Sequence, residues 1–179
     1  MKFFKRMMTL LFVVAVIGCV SDKENSSQLL SSIVNEYQDH EGYDEKEYPL
    51  GLFTKEFYQS EADFAKTILT KLSEVSEMAL SETEVISLKL LKFKLKDQID
   101  YFTYERFLNP LLSDAGFHSN LNYSVRPLFS YKAAKNYLNK LNAIPVFVDQ
   151  HFVNLREGLE KGVSQPKVIF NGYESTYED

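Results

Sequence analysis

The middle of the chain carries a helical pattern that no turn residue interrupts. Neither glycine nor proline occurs from Ser81 to Asn109, and so long a run indicates a helix and not a strand. Residues 86–96 also alternate as a half-buried strand would, but the length of the run favours helix. Ser81 and Glu84 form the pattern of a capping box, which predicts the start of this helix. Its apolar residues recur at helical spacing, at Val85, Leu88, Leu91, Leu95, Ile99 and Phe102.

Similar patterns elsewhere predict an all-α fold, a bundle-like array of about five helices. The first helix is expected to be capped by Ser26 or Ser27, the second to begin at Ser60, and the fourth to be capped by Ser130. Pro145 is expected in the first turn of a separate fifth helix. The stripe that this fifth helix is expected to bury consists of Val148, Phe152, Leu155 and Leu159.

Two other segments depart from the helical pattern. Residues 109–128 are predicted to be irregular, and connections of that length are often functional. Near the end of the chain, Asn171 and Gly172 separate two short apolar or aromatic runs, 167–170 and 173–177. An Asn-Gly pair in that setting predicts a short C-terminal β-hairpin with a type I′ turn.

The first residues are typical of an export signal. Three basic residues precede an apolar run at 7–18, which is shorter than the roughly 20 residues that span a bilayer. The run ends in Val-Ile-Gly-Cys, which resembles the lipobox of bacterial lipoproteins, whose Cys is lipidated after removal of the preceding peptide. The resemblance implies a signal peptide at 1–18, a lipidated Cys19 with a flexible tether to residue 28, and a helical portion at 29–179. The alternative is a buried first helix with an ordinary core cysteine.

The lipobox also implies a place in the cell. Acylated Cys19 would make the membrane a partner of the protein. Val20 stands where the inner-membrane retention signal has Asp, so the resemblance points to the outer membrane of a Gram-negative cell envelope. A net charge of −5 excludes the usual nucleic-acid binder, and the single cysteine excludes a disulfide scaffold.

Few residues suggest chemistry. His40 and Glu41 begin a segment like His-Glu-x-x-His, but Asp44 replaces the second histidine, so the spacing of zinc ligands fails and an exposed helix end is expected. His118 is a candidate ligand contact, or else a tether to the loop backbone. Arg126 is a candidate clamp for a carboxylate, or else part of an ion pair. His151 is expected to be packed and hydrogen-bonded. No catalytic residue or metal ligand is predicted.

Four stretches resemble a bacterial family known as domain of unknown function 885. They are Ser87–Asp100, Gly116–Asn120, Tyr137–Pro145 and Val148–Pro166. The resemblance carried by these four stretches extends over most of residues 29–179. Members of this family are largely helical, and many are exported lipoproteins, so the resemblance implies both properties for this chain. It also implies a relation to zinc metallopeptidases that use His-Glu-x-x-His and a downstream Glu.

This sequence differs from members of that family in its length and its motifs, and these differences determine the function that we expect. Members of the family are longer, and their zinc motif lies after the region corresponding to Asp179, whereas this sequence contains no His-Glu-x-x-His. The chain is therefore expected to be a truncated or split N-terminal part of an exported lipoprotein resembling a zinc-dependent peptidase, without catalysis or zinc of its own. Its partners would then be the missing C-terminal catalytic portion or a peptide.

Two alternatives remain open at this point. The first is a self-standing, membrane-anchored helical lipoprotein that binds a protein or peptide partner. The second is an enzyme that uses the His40-Glu41 segment or His118.

Overall fold

A computed structural model describes residues 24–112, 115–117 and 128–172. Four α-helices lie in this part of the chain: α1 at residues 24–38, α2 at Lys55–Leu72, α3 at Glu82–Thr103 and α4 at Tyr131–Glu160. Three short 3-10 helices accompany them, at Glu77–Ala79, Arg106–Leu108 and Lys167–Phe170. Leu111–Leu112 pairs antiparallel with Ala115–Gly116 over two residues each. The predicted helical class is confirmed.

The prediction of a separate fifth helix is wrong. Pro145 lies inside α4, which continues for fifteen residues beyond it, to Glu160. An interior proline removes one backbone hydrogen bond and costs about 3 kcal/mol. The helix continues because the turns that follow Pro145 bury side chains, beginning with Phe147.

Both ends of α4 are capped. Ser130 Oγ accepts a hydrogen bond from the backbone N–H of Ala133 at 3.1 Å, as its predicted role as a cap requires. At the other end, the N–H of Val163 donates to the carbonyl of Gly158 at 2.8 Å, and Gly162 takes the left-handed conformation at φ 76°. This is a Schellman motif, in which the final carbonyls gain partners.

The predicted C-terminal hairpin is not supported. Lys167–Phe170, expected to be its first strand, is a 3-10 helix. The N–H of Asn171 donates to the carbonyl of Val168 at 3.3 Å, so the backbone is satisfied locally and not by a partner strand. The expected second strand, at 173–177, lies outside the described residues.

Two helices begin earlier than predicted. Helix α2 begins at Lys55 because Thr54 caps it, its Oγ1 accepting from the N–H of Phe57 at 3.2 Å. Ser60, the predicted cap, lies within α2 and donates its hydroxyl to the carbonyl of Phe57. Helix α1 begins before Ser26 and Ser27, and Ser27 hydrogen-bonds the side chain of Glu84 instead.

The chain divides into two compact units. The first contains residues 24–40 and 62–99, and the second contains residues 41–61 and the described residues from 100 onward. The start of α3 in the first unit has the predicted capping box, because the N–H of Ser81 donates to Glu84 Oε2 at 2.8 Å and the N–H of Glu84 donates to Ser81 Oγ at 3.4 Å. The core of this unit consists of Leu30, Ile33, Ala65, Ile68, Leu72, Val75, Leu88, Leu91 and Leu95.

The second unit is built on α4, and α4 buries a different face from the predicted one. The buried residues are Phe147, His151, Asn154 and Gly158. Of the stripe predicted to be buried, Phe152 and Leu159 are exposed and Val148 and Leu155 are half-buried. The reason is that the chain around Phe53 and the 3-10 helix at Arg106–Leu108 pack on the other side of α4.

No helix in the described part of the chain combines the length and the apolar character that crossing a bilayer would require.

Candidate functional site

In the second unit, the segment before α2 is attached to α4 by two amide side chains. Gln150 Oε1 accepts a hydrogen bond from the N–H of Phe53 at 2.5 Å, and Asn154 Nδ2 donates to the carbonyl of Phe53 at 2.8 Å. Gln150 and Asn154 are four residues apart, so they lie on the same face of the helix. Both backbone groups of Phe53 are therefore satisfied by α4, and this segment has a defined position on the helix.

A glycine turn leads into this attached segment. The N–H of Gly51 donates to the carbonyl of Tyr48 at 3.0 Å, and Gly51 has φ 105°. A Cβ at this position would lie 2.6 Å from the ring of Phe53. Only glycine meets both requirements, the positive φ and the close approach of the ring.

Aromatic rings surround His151 beneath this segment. Its ring centroid lies 4.4 Å from Phe53, 4.4 Å from Phe117 and 4.7 Å from Phe147. The residue is 5% exposed, and within the described part of the chain neither ring nitrogen has a hydrogen-bond partner. Burial lowers its pKa to about 4, so the imidazole is neutral at pH 7. His151 is packed as predicted, but the prediction that it would be hydrogen-bonded is wrong.

A groove lies between the loop of residues 43–51 and α4. It contains a cavity of about 340 Å³ next to another of about 530 Å³. The two cavities share Asn139 on the helix and the loop residues Lys46, Tyr48, Pro49, Leu50 and Gly51. Cavities of about 300 to 1,000 Å³ are the usual size of small-ligand sites. We call this feature the loop–α4 groove.

Amide side chains form much of the helical wall of the loop–α4 groove. Asn136, Asn139 and Asn142 recur every third residue and all line it. Each amide offers two donor hydrogens and an acceptor oxygen. The opposite wall adds the apolar surfaces of Pro49 and Leu50. Such a groove suits a ligand that carries both donors and acceptors beside small apolar groups, as an extended peptide does.

The loop–α4 groove is lined by ionisable side chains of both signs, namely Glu45, Glu47, Lys46 and Lys140, and by the phenols of Tyr43 and Tyr48. Its described lining contains no histidine, cysteine or serine. A hydrogen bond with Glu47, and the negative charge of that carboxylate, raise the pKa of Tyr48. The phenol therefore stays protonated at neutral pH and acts as a donor, not as a base.

Of the residues singled out from the sequence, those that the structure describes are His40, Glu41 and His151, and none of these three lines the groove. Cys19, His118 and Arg126 all lie outside the described residues. His40 and Glu41 follow the end of α1, as expected for an exposed helix end, and the ring of His40 stacks on Phe64 at 3.6 Å. Within residues 24–112, 115–117 and 128–172, no three metal-ligating side chains come together.

The sequence analysis did not identify the amides of α4. A signal for them was present, because Asn136, Asn139 and Asn142 share a helical spacing, as do Gln150 and Asn154. Polar residues at helical spacing normally mark a solvated face. Only the position of the loop next to α4 makes them the wall of a groove.

One of the comparisons with known proteins assigns the chain to a family. The sequence model of DUF885, described as a bacterial protein of unknown function, matches residues 36–179. The match covers most of the chain, which therefore belongs to the DUF885 family, as its motifs predicted. The described part of the chain is helical. Comparison with curated proteins and comparison with solved structures each returned no match.

Proposed function

We propose that this chain is the N-terminal, peptide-holding part of an exported lipoprotein that resembles zinc-dependent peptidases, and that it does not hydrolyse peptides by itself. The observation that carries the proposal is the loop–α4 groove with its row of asparagine amides. Membership of the DUF885 family supplies the link to peptidases through the family resemblance.

The groove matches the chemistry of a peptide backbone. An extended peptide presents an N–H and a carbonyl at every residue. Asn139 and Asn142 can meet both groups, since a side-chain amide donates and accepts. Pro49 and Leu50 offer apolar contact to side chains that point to the loop. Fixing the loop on α4 through Phe53 prepares the groove before a ligand arrives, which reduces the entropy lost on binding.

Hydrolysis is assigned to a different part of the protein. In zinc peptidases the metal activates a water molecule and polarises the carbonyl. This chain has no His-Glu-x-x-His, and its described residues bring no ligand set together. The residues present do not fit zinc, so we assign no zinc chemistry to this chain.

Export and anchoring belong to the proposal. Cys19 would carry the acyl chains, and the tether that follows would place the helical part next to the outer membrane. Cys19→Ser should release the protein from the membrane fraction and abolish labelling by radioactive palmitate. Continued labelling of the variant would contradict the assignment.

Peptide binding by the groove can be tested with fluorescein-labelled tryptic peptides of casein. We expect a rise in fluorescence anisotropy with the wild-type chain. Asn139→Leu should weaken this binding about tenfold, the effect of leaving one buried polar pair unmade. Asn35→Leu is the matched control, since Asn35 is an exposed helical asparagine outside the groove. Equal binding by both variants would place the peptide elsewhere, and no binding by the wild type would overturn the proposal.

The size of the native polypeptide tests the other half of the proposal. Membranes of the source cells would be blotted with an antibody against residues 29–160. A band several times heavier than 20.7 kDa would place this chain at the beginning of a longer peptidase-like protein. A single band near the mature size of this chain would contradict that part.

A second function is favoured by one observation. The exposed apolar stripe of α4, which includes Phe152 and Leu159, is a surface that a protein partner could cover. The second candidate is therefore a self-standing lipoprotein that binds a protein or peptide at the membrane. Native size separates the two functions, because the second requires the short form.

A further inference from the structure

Helix α4 carries an apolar repeat that the second unit covers only in part, through contacts such as the edge-to-face packing of Phe152 on Phe117 at 6.3 Å between ring centroids. Tyr131, Leu138, Pro145, Phe152 and Leu159 recur every seventh residue. Ala134, Leu141, Val148 and Leu155 stand three residues after the first four of them. Apolar residues that alternate at spacings of three and four are the a and d positions of a coiled coil. We call these nine residues the α4 seam.

Six of the nine residues of the α4 seam are exposed, and Ala134, Val148 and Leu155 are half-buried. The exposed fractions are 86% for Tyr131, 55% for Leu138, 44% for Phe152 and 64% for Leu159. The helix buries a different face, through Phe147, His151, Asn154 and Gly158. A contiguous exposed apolar surface of this kind usually marks an interaction site, and its seven-residue repeat indicates that the partner is another helix.

The charges beside the α4 seam indicate which helix that is. Lys135, Asp149 and Arg156 stand one residue after Ala134, Val148 and Leu155, on the solvent side of the seam, and all three are exposed. Two helices that pack antiparallel bring these flanking positions opposite each other. Lys135 of one copy then meets Asp149 of the other, and the two-fold axis repeats the ion pair.

The same antiparallel register matches the apolar residues by size. Tyr131 is set against Leu155, and Leu138 against Val148. Ala134, the smallest residue of the seam, is set against Phe152. The overlap from Tyr131 to Leu155 corresponds to roughly 37 Å of helix. A parallel arrangement would set Lys135, Asp149 and Arg156 against Ser130, Ile144 and His151, so it offers no pair of opposite charges across the seam.

We propose that the α4 seam is the contact surface between two copies of this chain, whose α4 helices pack antiparallel with Lys135 of each opposite Asp149 of the other. The proposal goes beyond peptide binding, because Asn139 and Gln150 of the loop–α4 groove stand on the other side of the helix from Phe152. Asn142 of the groove stands one residue after Leu141, so the same register sets it opposite Asn142 of the other copy, at the edge of the contact.

The oligomeric state of the whole chain tests the proposal. The chain would be extracted from membranes in a mild detergent and its mass measured by sedimentation equilibrium, with the detergent contribution matched by solvent density. We expect a dimer for the wild type. Phe152→Glu should weaken the dimer at least tenfold, since it places a charge at a core position of the seam. Val153→Glu is the matched control, being the exposed apolar neighbour on another face of α4, and should leave the dimer unchanged.

A charge exchange tests the antiparallel register. Lys135→Glu should weaken the dimer roughly fivefold, because it creates two like-charge contacts. Asp149→Lys should do the same, and the double variant should recover wild-type association. Failure of the double variant to recover would overturn the register. A wild-type monomer at all concentrations up to about 100 μM, well above the range of stable complexes, would overturn the dimer.

The test does not depend on the proposed function. Dimerisation is measured without peptide, and peptide binding is measured with Asn139→Leu, which leaves the seam intact. A heavier native polypeptide that sediments as a monomer would indicate that its own later part covers the seam. That result would overturn the proposed dimer but not the proposed function.

Discussion

At the scale of single residues, His151 is the least typical member of the core. Most buried polar atoms in proteins have a hydrogen-bond partner, yet none of the described residues provides one for either of its ring nitrogens. Three phenylalanine rings surround it, and the neutral imidazole packs among them as another aromatic ring. This environment depresses its pKa to about 4, which links the stability of the second unit to pH.

The direction of that pH dependence follows from the two pKa values. An unfolded histidine takes up a proton near pH 6.5, whereas folded His151 does so only near pH 4. The unfolded chain therefore binds more protons between these values, and the free energy of unfolding falls as the pH is lowered from 6.5 to 4. The loss at pH 4 is on the order of 3 kcal/mol.

Replacing the imidazole with a benzene ring should remove this dependence. His151→Phe eliminates the titration and the two unsatisfied nitrogens. We expect the variant to be at least as stable as the wild type at pH 7.5 and increasingly more stable towards pH 4.5. Urea unfolding followed by circular dichroism at several pH values measures the difference between the two chains, in which other titrating groups cancel. Parallel pH curves for wild type and variant would contradict the prediction.

Gly158 is a second residue of interest, because a close contact with a neighbouring backbone leaves no room for a side chain. A Cβ at this position would lie 2.6 Å from the carbonyl oxygen of Leu108. Alanine normally improves a helix by about 1 kcal/mol over glycine. Here we expect Gly158→Ala to destabilise the chain by about 2 kcal/mol, because the backbone of the 3-10 helix at Arg106–Leu108 would have to move.

A comparison variant separates this contact from backbone strain. Gly162 has φ 76°, and no atom lies within 4 Å of a Cβ placed there. Gly162→Ala should therefore cost only the left-handed penalty of about 1 kcal/mol. Chemical denaturation of both variants gives the two losses. If Gly158→Ala proves as stable as the wild type, the close packing of α4 on Leu108 is not present in solution.

At the scale of elements, capping decides where the helices begin. Thr54 and Ser130 each accept a backbone hydrogen bond at a helix start, and Ser81 makes the reciprocal pair with Glu84. Pro145, which resembles a start signal, does not begin a helix, because the residues before it already have a cap at Ser130. The continuous helix gains from the residues that it buries after the proline, which are Phe147, His151, Asn154 and Gly158.

The capping box of α3 should be measurable. Ser81→Ala removes the acceptor for the N–H of Glu84 and should lower the free energy of unfolding by about 1 kcal/mol. Ser87→Ala is the control. Ser87 lies in the interior of α3, where its hydroxyl donates to the carbonyl of Thr83, and alanine is the better helix former. We expect no loss for the control in the same urea titration. Equal effects of both substitutions would contradict a specific capping role.

At the scale of the whole molecule, the two compact units have different interiors. The first has an aliphatic core that includes Ile33, Leu72 and Leu95. The second packs rings against rings, as in the stacking of Tyr58 on Phe107 at 4.9 Å, and carries the loop–α4 groove and the α4 seam. Candidate binding surfaces thus concentrate in the unit whose core is aromatic.

The absence of a zinc motif from the printed sequence leads to an expectation for the entire chain. We expect the purified protein to contain no stoichiometric zinc, and EDTA to leave its melting temperature unchanged. Elemental analysis and thermal unfolding with and without the chelator provide the measurement. Copurified zinc, together with a drop in melting temperature that His118→Ala abolishes, would favour the enzyme that uses His118.

Much of the fold follows from local patterns, and the reason is physical. Helical spacing of Leu88, Leu91 and Leu95 requires an apolar stripe on one side of α3, and that stripe is buried. Ser81 and Glu84 act within one turn of chain, so their hydrogen bonds need no distant partner. Membership of DUF885 likewise follows from the amino-acid sequence by itself, because the order and spacing of the family motifs are properties of the chain.

Tertiary packing decided the rest, because it depends on what comes next to each surface. Helix α4 has an apolar stripe that includes Phe152, and a polar face that includes Gln150 and Asn154. Its sequence predicts that the apolar stripe is buried. The chain buries Asn154 instead, since the carbonyl of Phe53 accepts a hydrogen bond from its side chain, which offsets part of the cost of its burial. A heptad stripe has the same pattern whether its partner is the core of its own chain or a second copy, so the sequence could identify the stripe but not its partner.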